Sequence, residues 1–193
     1  MIGTRVAVVV TLLALAAAAR PARAQEIIPN VPLRTQHGTA VRFYDDLVKG
    51  KVVLINFFFT SCTTICPRTT DNLKKVQTAL GEHLGRDVVM ISMSVDPRAD
   101  TPAVLQRYAV RHGTKPGWYF VTGRMEDINL VRRRLGVNRD GGDKTQHTGL
   151  LVYGNDATGQ WAATPAMADP AVIARSVLRL MPAPSSTARP PGP

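Results

Sequence analysis

Two cysteines, Cys62 and Cys66, stand in the run Thr60-Ser61-Cys62-Thr63-Thr64-Ile65-Cys66-Pro67, and the chain has no others. On a helical turn such an i, i+4 pair lies on one face with Cβ atoms about 5–6 Å apart, so both sulfurs can converge on one ion. Bridging them would close a very short loop, which stabilises a fold little, so a role as a structural staple is a poor account of the spacing. The run sits where an apolar segment ends and a helical pattern begins. Unpaired N–H groups and the dipole at a helix start favour a thiolate, the form that attacks disulfides and binds metals.

A metal site needs a third donor, and the histidines are His37, His83, His112 and His147. His83 and His112 fall in the last turns of predicted helices, where histidines meet terminal carbonyls, and His37 falls in a predicted hairpin turn. His147 differs, because it follows the flexible run Asp140-Gly141-Gly142-Asp143 and stands just before a predicted strand.

The elements that must position these residues alternate strand and helix. A hairpin is predicted from Val31 to Thr35 and Val41 to Phe43 around His37-Gly38. Val52 to Phe59 is apolar except for Asn56, as in a strand buried on both faces. Leu73, Val76, Leu80 and Leu84 recur at helical spacing, with Gly85 as the stop, and Val88 to Val95 is a second buried strand. Asp100-Thr101 before Pro102 places a capping side chain ahead of a helix running to about His112. Trp118 to Val121 is a strand, Met125 to Leu135 a helix, and Gly149 to Tyr153 with Gln160 to Ala163 a hairpin. Val172, Ile173, Val177, Leu178 and Met181 form the stripe of a last helix.

This order predicts an α/β fold, a mixed central sheet flanked by helices with an N-terminal β-hairpin. A strand, a cysteine-bearing turn and a helix in succession make the arrangement thioredoxin-like. In that fold the loop before the Gly149 strand lies against the cysteine turn, so His147 is the candidate third ligand. Two thiolates and an imidazole suit Cu(I), with Cu(II) accessible through the nitrogen. A structural zinc would want a fourth protein ligand, and no further Cys or obvious His supplies it. Thiol protons must leave on binding, so affinity should rise with pH, and an oxidised pair should not bind.

At these residues the chain resembles the Sco/SenC family of copper chaperones. The likeness extends from the hairpin through Phe59-Thr60-Ser61-Cys62 and Cys66-Pro67, then Ser94-Val95-Asp96-Pro97 with Asp100-Thr101-Pro102, Trp118 to Gly123, and His147, covering nearly all of residues 27 to 181. The resemblance implies copper ligands at Cys62, Cys66 and His147, and delivery of copper to the dinuclear copper site of cytochrome c oxidase. The implied partners are the oxidase's copper-bearing subunit or another periplasmic copper carrier, together with a thiol reductant. Two departures stand out: Thr63 where members usually have Pro, and Gln146 where Asp commonly precedes the His.

The N-terminus has Arg5, an apolar stretch from Val6 to Ala19, and Ala22-Arg23-Ala24, which reads as a signal peptide over residues 1–24. The apolar stretch is shorter than the about 20 residues of a spanning helix. The expectation is therefore a periplasmic protein, with membrane association only through a partner or an uncleaved signal segment. Residues 25–181 form the predicted domain, and 182–193 a Pro-rich disordered tail. After the signal peptide the balance is 21 basic against 14 acidic residues, a moderate excess. No basic helix with interleaved aromatics points to nucleic acid. Arg132-Arg133-Arg134 reads as a solvated helix end.

Two other functions fit parts of the pattern. A thiol-disulfide oxidoreductase would use either cysteine as nucleophile and the other as resolving thiol. A peroxiredoxin-like peroxidase would need one low-pKa cysteine with a supporting arginine, for which Arg68 is the only nearby candidate.

Overall fold

The computed structural model describes residues 28–137 and 149–182. The predicted signal peptide, His147, the Asp140 to Asp143 run and all of the predicted tail but Pro182 fall outside the described residues. The elements are β1 (Pro32–Thr35), β2 (Ala40–Arg42), a short π-helical turn α1 (Phe43–Val48), β3 (Val52–Phe58), α2 (Ile65–Leu80), β4 (Val88–Ser94), α3 (Pro102–Arg111), β5 (Trp118–Gly123), α4 (Met125–Arg134), β6 (Leu150–Asn155), β7 (Gln160–Pro165) and α5 (Pro170–Leu178). The strands form one sheet in the order β2-β1-β5-β4-β3-β6-β7. β3, β4 and β5 are parallel neighbours, and every other pairing is antiparallel.

Every residue of β4 and nearly every residue of β3 is buried, so the centre of the sheet is covered on both faces. Continuous apolar strands have this consequence, because no side of them alternates with polar residues. The one polar break in β3 is satisfied internally: Ser92 Oγ donates to Asn56 Oδ1 at 2.6 Å and accepts from Trp118 Nε1 at 2.9 Å. That chain of bonds links the three parallel strands. α2 packs along α5, and Thr70 of α2 meets the Tyr108 hydroxyl of α3 at 2.8 Å.

Three expectations need correction. Helix α2 stops at Gly81, not Gly85: Gly81 takes φ +54°, a conformation that favours glycine, and Leu84 lies beyond a 3₁₀ turn (Gly81–His83). Phe43 leaves the hairpin to begin α1, where it packs into the core with Tyr44, Leu47 and Val48. Arg132 is not fully solvated; it is half-buried, Nη1 donates to Asn129 Oδ1 at 3.3 Å, and burial lowers its pKa.

Candidate metal and redox site

The cysteine run joins the C-terminal end of β3 to α2. Only Cys66 lies in the helix, in its first turn, whereas Cys62 precedes it. The expected pair on one helical face is therefore corrected: Cys62 occupies a capping role, and its Sγ accepts the Cys66 backbone N–H at 3.4 Å. A sulfur here satisfies one of the donors that every helix start leaves over. Thr64 Oγ1 lies 3.6 Å from the same sulfur.

Both cysteines are buried thiols, and their surroundings split them. Burial pushes the Cys62 pKa up, but hydrogen bonds from the Cys66 side chain and backbone, then from Thr64, outweigh it and bring the value down to about 6. Deeper burial pushes Cys66 up to about 12, with the hydrogen bond to Cys62 adding to the rise and the carboxylate of Asp100 contributing last. At neutral pH the pair carries one thiolate and one thiol, which share a hydrogen bond.

Asp100 is a residue that sequence reasoning did not place at the site. The capping side chain expected before Pro102 is that of Thr101, whose Oγ1 accepts the Val104 N–H at 3.4 Å. Asp100 instead turns inward and is fully buried. It accepts from Thr60 N–H at 3.1 Å, from the Thr60 hydroxyl, and from Ser94 Oγ at 2.6 Å. Ser94 Oγ also accepts the Asp96 N–H at 3.0 Å. The Ser94 to Pro102 motif thus latches the first residue of the cysteine turn to the end of β4. One signal in the sequence could have shown this: of two adjacent capping residues before Pro102, only one can cap, and the other needs a different partner.

The histidines sort as follows. His83 Nδ1 is 2.8 Å from Asp87 Oδ2, and it lies in the 3₁₀ turn, not in a last helical turn. His112 forms the C-cap of α3, its ring centroid lies 4.3 Å from that of Tyr108 with the planes tilted, and Nδ1 is 3.7 Å from Asp71 Oδ1; burial lowers its pKa. His37 is in the β1–β2 turn, where its N–H donates to Thr35 Oγ1 at 3.3 Å. Arg68 is exposed on α2. Among the described residues no group of three His, Cys, Asp or Glu side chains could hold a metal.

His147 lies outside the described residues, but its neighbour two places on is held beside the site. Gly149 has φ +58°, and a Cβ built on it would lie 3.2 Å from Ile65 Cδ1, the side chain next to Cys66. Its carbonyl accepts the Ala166 N–H at 2.6 Å. The start of β6 is thereby fixed against the start of α2.

A family model described as SCO1/SenC matches residues 20–181. The chain belongs to the SCO1/SenC family. The SCO1 homologue of Bacillus subtilis is 41% identical over 78 residues, 39% of each chain. Of the first curated relatives it matches, the chain spans less than half the length. Among solved structures, copper-bound ScoI of Bradyrhizobium japonicum has a TM-score of 0.63 at 28% identity, covering 79% of this chain and 99% of that one. BsSco, described through a disulfide switch and as a member of a family of cytochrome c oxidase assembly proteins, has a TM-score of 0.64 at 26% identity, covering 79% and 93%. These Sco structures share the mixed thioredoxin-like sheet described above.

Thr63, at the position where the resemblance led a proline to be expected, is exposed between the two cysteines. The turn here lacks a ring to fix φ. Its fixed points are the Asp100 bonds to Thr60 on one side and the Cys66 N–H to sulfur bond on the other.

Proposed function

We propose that this chain binds copper through Cys62, Cys66 and His147 and delivers it to the dinuclear copper site of cytochrome c oxidase. The observation that carries the reading is the cysteine pair at the start of α2, with one sulfur already favoured as thiolate and hydrogen-bonded to the other. This donor set fits a soft ion: adjacent sulfurs, low exposure and a neighbouring loop end select Cu(I) over hard cations, and an imidazole makes Cu(II) accessible. The copper held by the Bradyrhizobium ScoI supports the same cargo here. The signal-like N-terminus supports export to the periplasm, where the recipient is the oxidase's copper-bearing subunit or another carrier and a thiol reductant keeps the pair reduced.

Cu(I) competition against a chromogenic chelator tests the ligand set. Cys62→Ser and Cys66→Ser should abolish capture, and His147→Ala should weaken it; unchanged affinity in His147→Ala removes the imidazole from the site. Mixing the Cu(I)-loaded chain with the soluble domain of the oxidase subunit tests delivery, which fails as a reading if copper stays with the chain.

A second reading, thiol-disulfide exchange on the target's cysteines, is favoured by the low pKa of Cys62. A nucleophile that is thiolate at neutral pH and a partner that is not resemble an attacking and a resolving pair, with Cys62 the attacker.

A further inference from the structure

The loop that latches the cysteine turn also forms one side of a groove that neither reading above uses. The groove encloses 460 Å³ and is lined by Pro32 and Arg34 of β1, Pro97, Thr101 and Pro102 after β4, and Thr122 of β5. That volume admits a few side chains of a ligand. Its place in the sheet follows from the register: Phe58 pairs with Ser94, Met93 with Val121, and Thr122 with Arg34. Side chains alternate along a strand, so Phe58, Ser94, Thr122 and Arg34 form a row on one face of β3, β4, β5 and β1. Strands lie about 4.8 Å apart, which puts Thr122 about 10 Å from Phe58, at the root of the cysteine turn. Thr101 and Pro102 follow directly on Asp100, whose carboxylate holds Thr60.

The groove is built for a negative, partly apolar occupant. None of the described residues lining it is acidic, and Arg34 and Arg124 stand at its edge. Arg124 is shared with Asp127, at 2.8 Å, whereas exposed Arg34 donates Nη1 only to a neutral partner, Gly38 O. The start of α3, at Thr101 and Pro102, adds the positive end of a helix dipole. A second, independent feature points the same way: Thr122 is 6% exposed, and its Oγ1 has no hydrogen-bond partner among the described residues. A buried hydroxyl left unpaired is unfavourable, and an occupant that satisfies it gains by doing so.

We infer that this groove docks an acidic segment of the protein that takes the copper; this deepens the delivery reading and rests on it. A carboxylate of the segment pairs with Arg34, and an apolar side chain seats among Pro32, Pro97 and Pro102. A partner held there lies over the cysteine turn, which is why the occupant is the recipient. The excess of 21 basic over 14 acidic residues after the predicted signal peptide disfavours a second copy of the chain, whose like charge repels.

The test is anaerobic calorimetry of the full, Cu(I)-loaded chain with the soluble domain of the oxidase's copper-bearing subunit, at low and moderate salt. Arg34→Glu should weaken association about tenfold and flatten its salt dependence. Arg175→Glu, an equally exposed reversal on α5 outside the groove, should change it by less than about twofold. Thr122→Val keeps the shape and should weaken association about three- to tenfold without lowering Tm. Cu(I) affinity against a chelator should be unchanged in all three. Wild-type affinity in Arg34→Glu, or an equal loss in Arg175→Glu, overturns the groove and leaves the copper reading standing. So does Arg34-dependent binding to anionic lipid vesicles with recipient binding intact, which assigns the groove to a membrane surface. Copper capture with no association by the wild-type chain overturns the groove and delivery together, and absence of Cu(I) capture overturns the copper reading with both.

Discussion

Replacing Asp100 with Ala should loosen the cysteine turn and destabilise the fold together. The wild-type carboxylate is fully buried and takes three hydrogen bonds from Thr60 and Ser94. Alanine leaves those three donors without their acceptor, at about 1–3 kcal/mol for each buried group. Water can fill part of the space, so the lower limit is the safer sum, about 3 kcal/mol. In a domain of this size each kcal/mol moves Tm about 2–4 °C, so the expected drop is about 6–12 °C by circular dichroism. Asp100→Asn keeps one acceptor oxygen and the shape, and should lose less than half as much.

The second readout is the site itself. Iodoacetamide at neutral pH should label Cys62 at an altered rate in Asp100→Ala under conditions where the variant is still folded, because Thr60 no longer anchors the turn. A Tm within about 2 °C of wild type, corresponding to less than about 1 kcal/mol, together with unchanged labelling would refute the latch.

Alkylation of Cys62 in the reduced, metal-free chain should follow a titration with a midpoint near its pKa of about 6. The sign is that of a depressed acid: the rate is flat above the midpoint and falls tenfold per pH unit below it, and a midpoint near the ordinary thiol value contradicts the capping geometry. Gly149→Ala should cost about 1–2 kcal/mol in denaturant unfolding, because φ +58° disfavours a Cβ, and it should weaken Cu(I) capture by pushing on Ile65; no change in either means this contact does not position the loop end. Asn72→Ala removes both amide bonds to the turn between β7 and α5, at Ala166 O and Ala168 O, and should cost about 1–3 kcal/mol. A loss below about 0.5 kcal/mol, inside the scatter of ordinary surface changes, would show that the turn holds itself.

The parts of the fold legible in the sequence were those set by hydrophobic period. β3 and β4 read as buried strands because both their faces are covered, and α5 read as a helix from Val172, Ile173 and Val177. α1 was invisible, since six residues are too few to show a period, and α2 ended early because Gly81 precedes Gly85 and Leu84 happened to fit the spacing. At the site, the cysteine pair was legible as chemistry but not as geometry. Spacing alone cannot tell whether Cys62 lies inside the helix or before it, and that choice decides which sulfur receives the N–H. Asp100 was hidden for a related reason: its partners, Thr60 and Ser94, are distant in sequence or on the preceding strand, and only the parallel pairing of β3 with β4 brings them together.

The unequal thiols also separate the two readings by rate. With a pKa of about 12, Cys66 has about 10³-fold less thiolate at neutral pH than a thiol at 9.0. Its higher basicity makes each thiolate more nucleophilic, by about 15–30-fold for a slope of 0.4–0.5 over three units, which offsets only part of the deficit. Forming a mixed disulfide at Cys62 removes that thiolate's hydrogen bond, but burial, the largest cause of the rise, remains. Resolution by Cys66 should then run slower than for an ordinary thiol, by at most about 30–60-fold. With an aromatic disulfide reagent, the first equivalent of thiolate product should appear fast and the second in a distinct slow phase, with the mixed disulfide visible by mass. A metal site tolerates this imbalance, because an arriving Cu(I) itself displaces the Cys66 proton, whereas rapid dithiol exchange does not. Release of both equivalents in one fast phase would reverse that ranking and favour the redox role.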